Sequence, residues 1–233
     1  DESGRSVSLS SDGSTVAIGA HLNDGNGINS GQVRVYSLVG DTWEQQGNDI
    51  DGEAVGDVSG RSVSLSSDGS TVAIGAPSND GNGDLSGQVR VYSLVGDTWE
   101  QQGNDIDGEA VGDVSGRSVS LSSDGSTVAI GATGNDGDNR VDSGHVRVYV
   151  WDGSNWVQQG SDIDGEAAGD ESGRSVSLSS DGSTVAIGAP SNDGNGTLSG
   201  HVRVYVWDGS NWVQRGSDID GEAAGDESGR SVS

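Results

Sequence analysis

Gly4-Arg5-Ser6-Val7-Ser8-Leu9-Ser10-Ser11-Asp12-Gly13-Ser14-Thr15-Val16-Ala17-Ile18-Gly19-Ala20 is the stretch on which the fold turns. Val7, Leu9, Val16 and Ile18 alternate with Ser6, Ser8, Ala17 and Gly19, a period of two that belongs to strands and not to helices. Between the two runs stands Asp12-Gly13, a pairing that suits tight hairpin turns because their central residues need positive φ. The stretch therefore predicts an antiparallel hairpin. Its landmark Gly-Arg-Ser-Val-Ser begins again at Gly60, Gly116, Gly173 and Gly229, at spacings of 56, 56, 57 and 56 residues. Four near-identical units follow one another, approximately 4–59, 60–115, 116–172 and 173–228, with 229–233 starting a fifth. Such self-similarity defines one repeat array and overrides any domain count from length alone.

Outward from the hairpin, a polar loop at 23–31 leads to a third predicted strand, Gln32-Val33-Arg34-Val35-Tyr36-Ser37-Leu38. A turn at Gly40-Asp41, or Asp152-Gly153 and Asp208-Gly209 in later units, leads to a fourth strand around Trp43-Glu44-Gln45. Residues 49–59 then carry the chain to the next unit. Gly and β-branched residues are too dense for helix throughout. One face of the hairpin is bulky and the other small, so neighbouring sheets can stack bulky side on small side and bury both. The expected fold is all-β, a β-propeller built of four-stranded antiparallel blades of 56–57 residues. A β-solenoid-like stack is the alternative, although solenoid coils are usually shorter and lack repeated tight hairpins. The opening run 1–8 recurs unchanged at 226–233. Two copies of one strand would compete for a single place in a four-unit ring, so the four repeats read as a window of a longer array.

The 233 residues carry 11 basic groups, all Arg, against 37 acidic ones, for a net charge of -26. That balance excludes nucleic acid, whose phosphates need a basic footprint, and equally excludes anionic membrane surfaces. No run is long and apolar enough to insert in a membrane. Dense Asp suits a secreted, extracellular or cell-surface setting, where it keeps a Gly-rich surface soluble. Without Cys, disulfide and thiol chemistry are excluded.

Asp68 to Pro77 and Asp181 to Pro190 both read Asp-Gly-Ser-Thr-Val-Ala-Ile-Gly-Ala-Pro. Gly165-Glu166-Ala167-Ala168-Gly169-Asp170-Glu171-Ser172-Gly173-Arg174-Ser175-Val176 stands upstream of the second copy, and Gly200-His201-Val202-Arg203-Val204-Tyr205 with Trp212-Val213-Gln214 downstream. These residues resemble the FG-GAP repeats that form the blades of integrin α-subunit propellers, and the resemblance covers essentially every unit. It implies a propeller, usually of seven blades, with calcium held in an Asp/Asn loop between the first two strands. The chain departs from the pattern in two ways. The Phe of the Phe-Gly pair is replaced by Ser3, Ser59, Ser115, Ser172 and Ser228, and the Pro positions in two units hold His21 and Thr133.

The calcium loop implied by the family has shrunk here to one carboxylate per hairpin, Asp12, Asp68, Asp124 or Asp181. Ca²⁺ takes six to eight oxygens, so those residues read as turn formers. Better Ca²⁺ candidates are Asp80 and Asp84 in Asn79-Asp80-Gly81-Asn82-Gly83-Asp84, then Asp136, Asp138 and Asp142, and the equivalent Asp193. A second set, Asp162-Ile163-Asp164-Gly165-Glu166 with Asp170, recurs as Asp49 and Asp51, Asp105 and Asp107, and Asp218 and Asp220. Either set could hold Ca²⁺ with ligands from adjacent blades; the plainer reading is that Asn, Asp and Gly encode turns. The pairs Asp57/Arg61, Asp113/Arg117 and Asp170/Arg174 would suit a structural ring of ion pairs at blade junctions. Trp151 with Trp156 and Trp207 with Trp212 flank tight turns, where they could stack on sugar rings or cover a blade edge. Asn195 opens the one glycosylation sequon, Asn195-Gly196-Thr197.

No nucleophile elbow, phosphate loop or His-rich metal spacing is present, and His21, His145 and His201 form no repeated catalytic group. The sequence therefore leads to a non-enzymatic extracellular structural or adhesive repeat protein, a scaffold or component of a surface filament or appendage. The alternative is a propeller that binds carbohydrate or peptide with Ca²⁺. The partners expected are further copies of itself, other extracellular proteins or glycans, with neither nucleic acid nor membrane insertion among them.

Overall fold

The computed structural model describes residues 1–137 and 140–233. The predicted hairpin is β1 (Ser6–Leu9) and β2 (Thr15–Ala20), followed by β3 (Gln32–Val39), β4 (Thr42–Gln45) and a two-residue β5 (Ile50–Asp51). They form one antiparallel sheet in the order β1-β2-β3-β4, and β5 pairs with the start of β3. The short fifth strand is an addition to the four expected. It arises where Ile50 is buried opposite Val33. The same sheet recurs as β6 (Ser62–Leu65), β7 (Thr71–Ala76), β8 (Gln88–Val95), β9 (Thr98–Gln101) and β10 (Ile106–Asp107). The third comprises β11 (Ser115–Leu121), β12 (Thr127–Ala132), β13 (His145–Trp151), β14 (Trp156–Gln158) and β15 (Ile163–Asp164). The fourth comprises β16 (Ser175–Leu178), β17 (Thr184–Ala189), β18 (His201–Trp207), β19 (Trp212–Gln214) and β20 (Ile219–Asp220). The all-β propeller expected from the alternation is thus the observed architecture.

Register explains the stacking. Val7 opposes Ile18 and Leu9 opposes Val16, while Ser6 opposes Gly19 and Ser8 opposes Ala17. Each blade therefore has a bulky and a small face. Ala17, Val33 and Val35 of the first blade pack on Val63, Leu65, Val72 and Ile74 of the second. The same seam repeats between the second and third blades and between the third and fourth. Each fully buried aliphatic side chain there contributes about 1.5–3 kcal/mol. The first blade's bulky face has no such cover: Val7 and Leu9 are 61% and 60% exposed, against 9% and 7% for Val63 and Leu65.

Close approach on the small face requires glycine. A Cβ on Gly19 would stand 2.1 Å from the carbonyl oxygen of Gly60. Ser6 Oγ donates to that same oxygen at 2.7 Å, and Leu65 N donates to Ser8 Oγ at 2.9 Å. The serines that stand where the family has Phe are also accounted for. Ser59 is fully buried and bridges in parallel with Gly31, so backbone packs on backbone where an aromatic ring would otherwise fill space. At the blade's outer edge, the indoles of Trp99, Trp156 and Trp212 donate to the carbonyls of Gln46, Gln102 and Gln159 in the preceding blade, at 2.8–2.9 Å.

Candidate functional site

Functional side chains gather at one end of the array, where the β2–β3 loops and the segments between blades meet. Asn26 ties the two together by donating from Nδ2 to the carbonyls of Gly52 and Glu53. At this end an arginine stands at the entry to each first strand: Arg5, Arg61 and Arg174 immediately before it, and Arg117 within β11. The turn that presents it is strained. Arg61 N donates to the Val58 carbonyl and Arg117 N to that of Val114, and these valines have φ of 51° and 58°. A β-branched residue in the left-handed region is an outlier, and such strain collects at functional sites.

The arginines converge. Burial lowers the pKa of Arg61, and the positive charges of Arg5 and Arg174 lower it further. Arg117 is pushed down to about 10 by burial, then by Arg174 and Arg61. Among the described residues Arg5, Arg61 and Arg117 have no ion-pair partner, while Arg174 stands 3.8 Å from Glu171. The expected Asp57/Arg61, Asp113/Arg117 and Asp170/Arg174 pairs are corrected by this geometry. Asp57 accepts from Ala54 N and from Asn79 Nδ2 of the next blade; Asp113 and Asp170 make the equivalent bonds to Ala110 and Asn135 and to Ala167 and Asn192. The carboxylates close the inter-blade turn, and the guanidinium groups are left to one another.

His21 adjoins this cluster. It follows β2, is 9% exposed, and has Nε2 3.7 Å from Glu2 Oε2, while Nδ1 has no hydrogen-bond partner. Burial, followed by the charge of Arg61, lowers its pKa, against the opposing pull of Glu2, so the imidazole is neutral at pH 7. Sequence reasoning missed this group because it looked for a repeated one. His21 is single, and its neighbours come from different units. The sequence signal was the exchange of Pro for His at that one position.

A second, acidic zone lies at the seams. Asp162 and Glu109 meet the buried His145, and Asp218 and Glu166 meet the buried His201; both groups could hold a metal ion. Glu109 and Glu166 belong to the segment preceding the blade that supplies the His, so adjacent blades do contribute together. In the earlier units glutamine replaces histidine: Gln32 Nε2 donates to Asp49 and Asp51 at 2.8 and 2.9 Å, and Gln88 Nε2 donates to Glu53 at 3.1 Å. Asp105 accepts from Gln101. Asp51, Asp107, Asp164 and Asp220 end the fifth strands opposite Gln32, Gln88, His145 and His201.

The loop carboxylates do other work. Asp80, Asp136 and Asp193 each accept a backbone N–H within their own loop, from Leu85, Asp142 and Leu198. Asp84 is exposed, and its carbonyl accepts from Gly112 N. Asp138 lies outside the described residues. Trp151 and Trp156 tilt together at 5.5 Å, Trp207 and Trp212 at 5.6 Å, with Trp156 and Trp212 against the seams between blades. Asn195 Nδ2 donates to the carbonyls of Gly221 and Glu222, bonds that a glycan on that nitrogen would disturb.

Stacked antiparallel blades, with arginines of successive units within electrostatic reach of one another, define a propeller-type array. Residues 1–36 and 161–206 match the family model described as FG-GAP repeat, in line with the resemblance read from the sequence. No curated protein matches the chain in sequence. Among solved structures it is similar to a candidate 6-phosphogluconolactonase from Bacteroides uniformis ATCC 8492, at TM-score 0.61 and 14% identity over 92% of this chain and 54% of that one. It is also similar to the periplasmic gluconolactonase of Pseudomonas aeruginosa, at TM-score 0.61 and 18% identity over 92% of this chain and 56% of that one. The chain thus spans about half the length of these structures, and at such identities the likeness is one of fold. The expectation of a non-enzymatic structural or adhesive protein is corrected here, since the solved propellers sharing the fold are named as lactonases. Its adhesive and filament elements have no support in these comparisons. No helix among the described residues is long and apolar enough to cross a membrane.

Proposed function

We propose that this array is part of a propeller enzyme that hydrolyses the lactone of an acidic or phosphorylated sugar. The observation that carries the reading is the mutual approach of Arg5, Arg61, Arg117 and Arg174, with the neutral His21 and Glu2 at the Arg5 and Arg61 side of the group. Guanidinium groups that repel one another, those of Arg61, Arg117 and Arg174 half-buried and that of Arg5 exposed, are relieved by an anion, and their planar forks match carboxylate or phosphate. His21, a neutral base held beside a carboxylate, can take a proton from water. In the proposed reaction, water attacks the lactone carbonyl carbon as His21 accepts its proton, and the guanidinium groups stabilise the oxyanion. Collapse then breaks the ring C–O bond, and His21 returns the proton to the leaving oxygen, giving the open hydroxy acid. The names of the solved propellers support this substrate class. The reaction proposed gives Ca²⁺ no step; Asp80, Asp136 and Asp193 each accept a backbone N–H of their own loop. A secreted or periplasmic location fits the charge of -26 and the periplasmic neighbour.

The test is pH-stat hydrolysis of glucono-δ-lactone and its 6-phosphate by the purified chain, against the spontaneous rate. Hydrolysis above background is expected, with a loss of roughly 10²-fold or more in His21→Thr, the residue that the third unit carries as Thr133. Arg117→Gln should chiefly raise KM for the phosphorylated substrate. No acceleration of either lactone, or full activity in His21→Thr, sinks the reading.

A further inference from the structure

The acidic zone carries a separate conclusion. His145 is 1% exposed and buried between the second and third blades, yet neither of its ring nitrogens has a hydrogen-bond partner. A buried imidazole without partners is costly, because each polar atom gives up its water. Nδ1 lies 3.8 Å from Asp162 Oδ2, too long for a hydrogen bond. The fourth blade repeats the distances: His201 Nδ1 is 4.0 Å from both Asp218 Oδ2 and Glu166 Oε2, and its Nε2 is buried without a partner. In each group the three donor atoms lie within 4.8 Å of one another.

The surrounding bonds orient these atoms. Asp162 Oδ1 accepts from Gln158 and Asp218 Oδ1 from Gln214, both at 2.6 Å, which leaves each Oδ2 turned to its histidine. Arg203 Nη1 stands 3.5 Å from Glu166 Oε1, leaving Oε2 towards His201; Arg147 sits at the same distance from Glu109 Oε1. Each arginine is anchored in turn by donating to the carbonyl of Asp107 or Asp164 and by stacking over Tyr149 or Tyr205. Second contacts of this kind fix ligands around metal ions.

We propose that Glu109, His145 and Asp162, and again Glu166, His201 and Asp218, each bind a divalent transition cation of the Zn²⁺ class that clamps adjacent blades. Zn²⁺ bonds of about 2.0–2.2 Å place ligand atoms roughly 3.3–3.6 Å apart, so the carboxylates need close on the histidine by between a few tenths of an ångström and about 1.5 Å. One imidazole with two carboxylates suits Zn²⁺, whereas Ca²⁺ prefers an all-oxygen set of six or more.

The first two units provide the control, because Gln32 and Gln88 stand where His145 and His201 stand, in the same fold. Untagged protein is dialysed to equilibrium against Zn²⁺, or separately Ca²⁺, at neutral pH, and bound metal is counted by mass spectrometry. Two Zn²⁺ per chain are expected, one in His145→Gln, and none in the double variant with His201→Gln. Gln88→His, beside Glu53 and Asp105, should add a third. Unchanged Zn²⁺ stoichiometry in the double variant, no Zn²⁺ on the parent chain, or Ca²⁺ retained in its place would each overturn the assignment.

Discussion

Gly131 lies on the small face of the third blade, and replacing it with alanine tests the stacking directly. An added Cβ would stand 2.0 Å from the Gly173 carbonyl oxygen and 2.5 Å from Ser118 Oγ. Gly131 does not lie at positive φ, so alanine meets no backbone penalty and the effect is steric. The blades must move apart by more than an ångström, or the strand must bend. Overpacking of this kind costs about 1–3 kcal/mol. The clash also displaces the 2.8 Å bond that Ser118 Oγ donates to the Gly173 carbonyl, worth about 1 kcal/mol. A total of about 3 kcal/mol corresponds to a melting temperature lower by roughly 6–12 °C for a domain of this size. Scanning calorimetry of Gly131→Ala beside Ser118→Ala separates the two contributions, because the serine variant loses the bond alone. Repeat arrays couple mainly through nearest neighbours, so the loss should centre on the seam between the third and fourth blades. If Gly131→Ala melts no lower than Ser118→Ala, the close-packed account of blade stacking is wrong.

Two further outcomes follow from named contacts. Trp156→Phe should lose at least about 1 kcal/mol by thermal melting, because the indole N–H bond to the Gln102 carbonyl goes together with part of the ring packed on the seam; no loss would mean that neither contact holds the outer edge. The hairpin aspartates Asp12 and Asp181 are held down to about 2, chiefly by hydrogen bonds from Ser10 and Ser179. Their folded pKa lies below the unfolded value of 3.8, so this contribution to stability is complete above about pH 4 and disappears as pH falls through about 2. An acid titration of the melting temperature should show a smaller decline between pH 4 and 2 in the Asp12→Asn, Asp181→Asn variant than in the parent chain.

The hairpins were legible because their causes are local. Alternation of Val7, Leu9, Val16 and Ile18 with small residues, joined by Asp12-Gly13, leaves one register that keeps the bulky residues on one face. The strand limits of β2, Thr15–Ala20, follow from that pattern without further information. The short strand at Ile50–Asp51 was not legible, since two residues carry no period. Asp57 and Arg61 look like a pair on charge and spacing alone. The competing attractions of Asn79 and the turn amides became apparent only when the next blade was in place.

Repetition and two-residue alternation, written wholly in the chain, determine a blade with one bulky and one small face and the stacking that buries both. The meeting of Arg5, Arg61, Arg117 and Arg174 beside His21, and of Glu109 with His145 and Asp162, belongs to the folded array alone. The physical reason is range. Turn sterics and side-chain alternation act within a few residues, whereas these groups come from positions tens of residues apart and meet only through the angle and spacing at which one blade packs on the next.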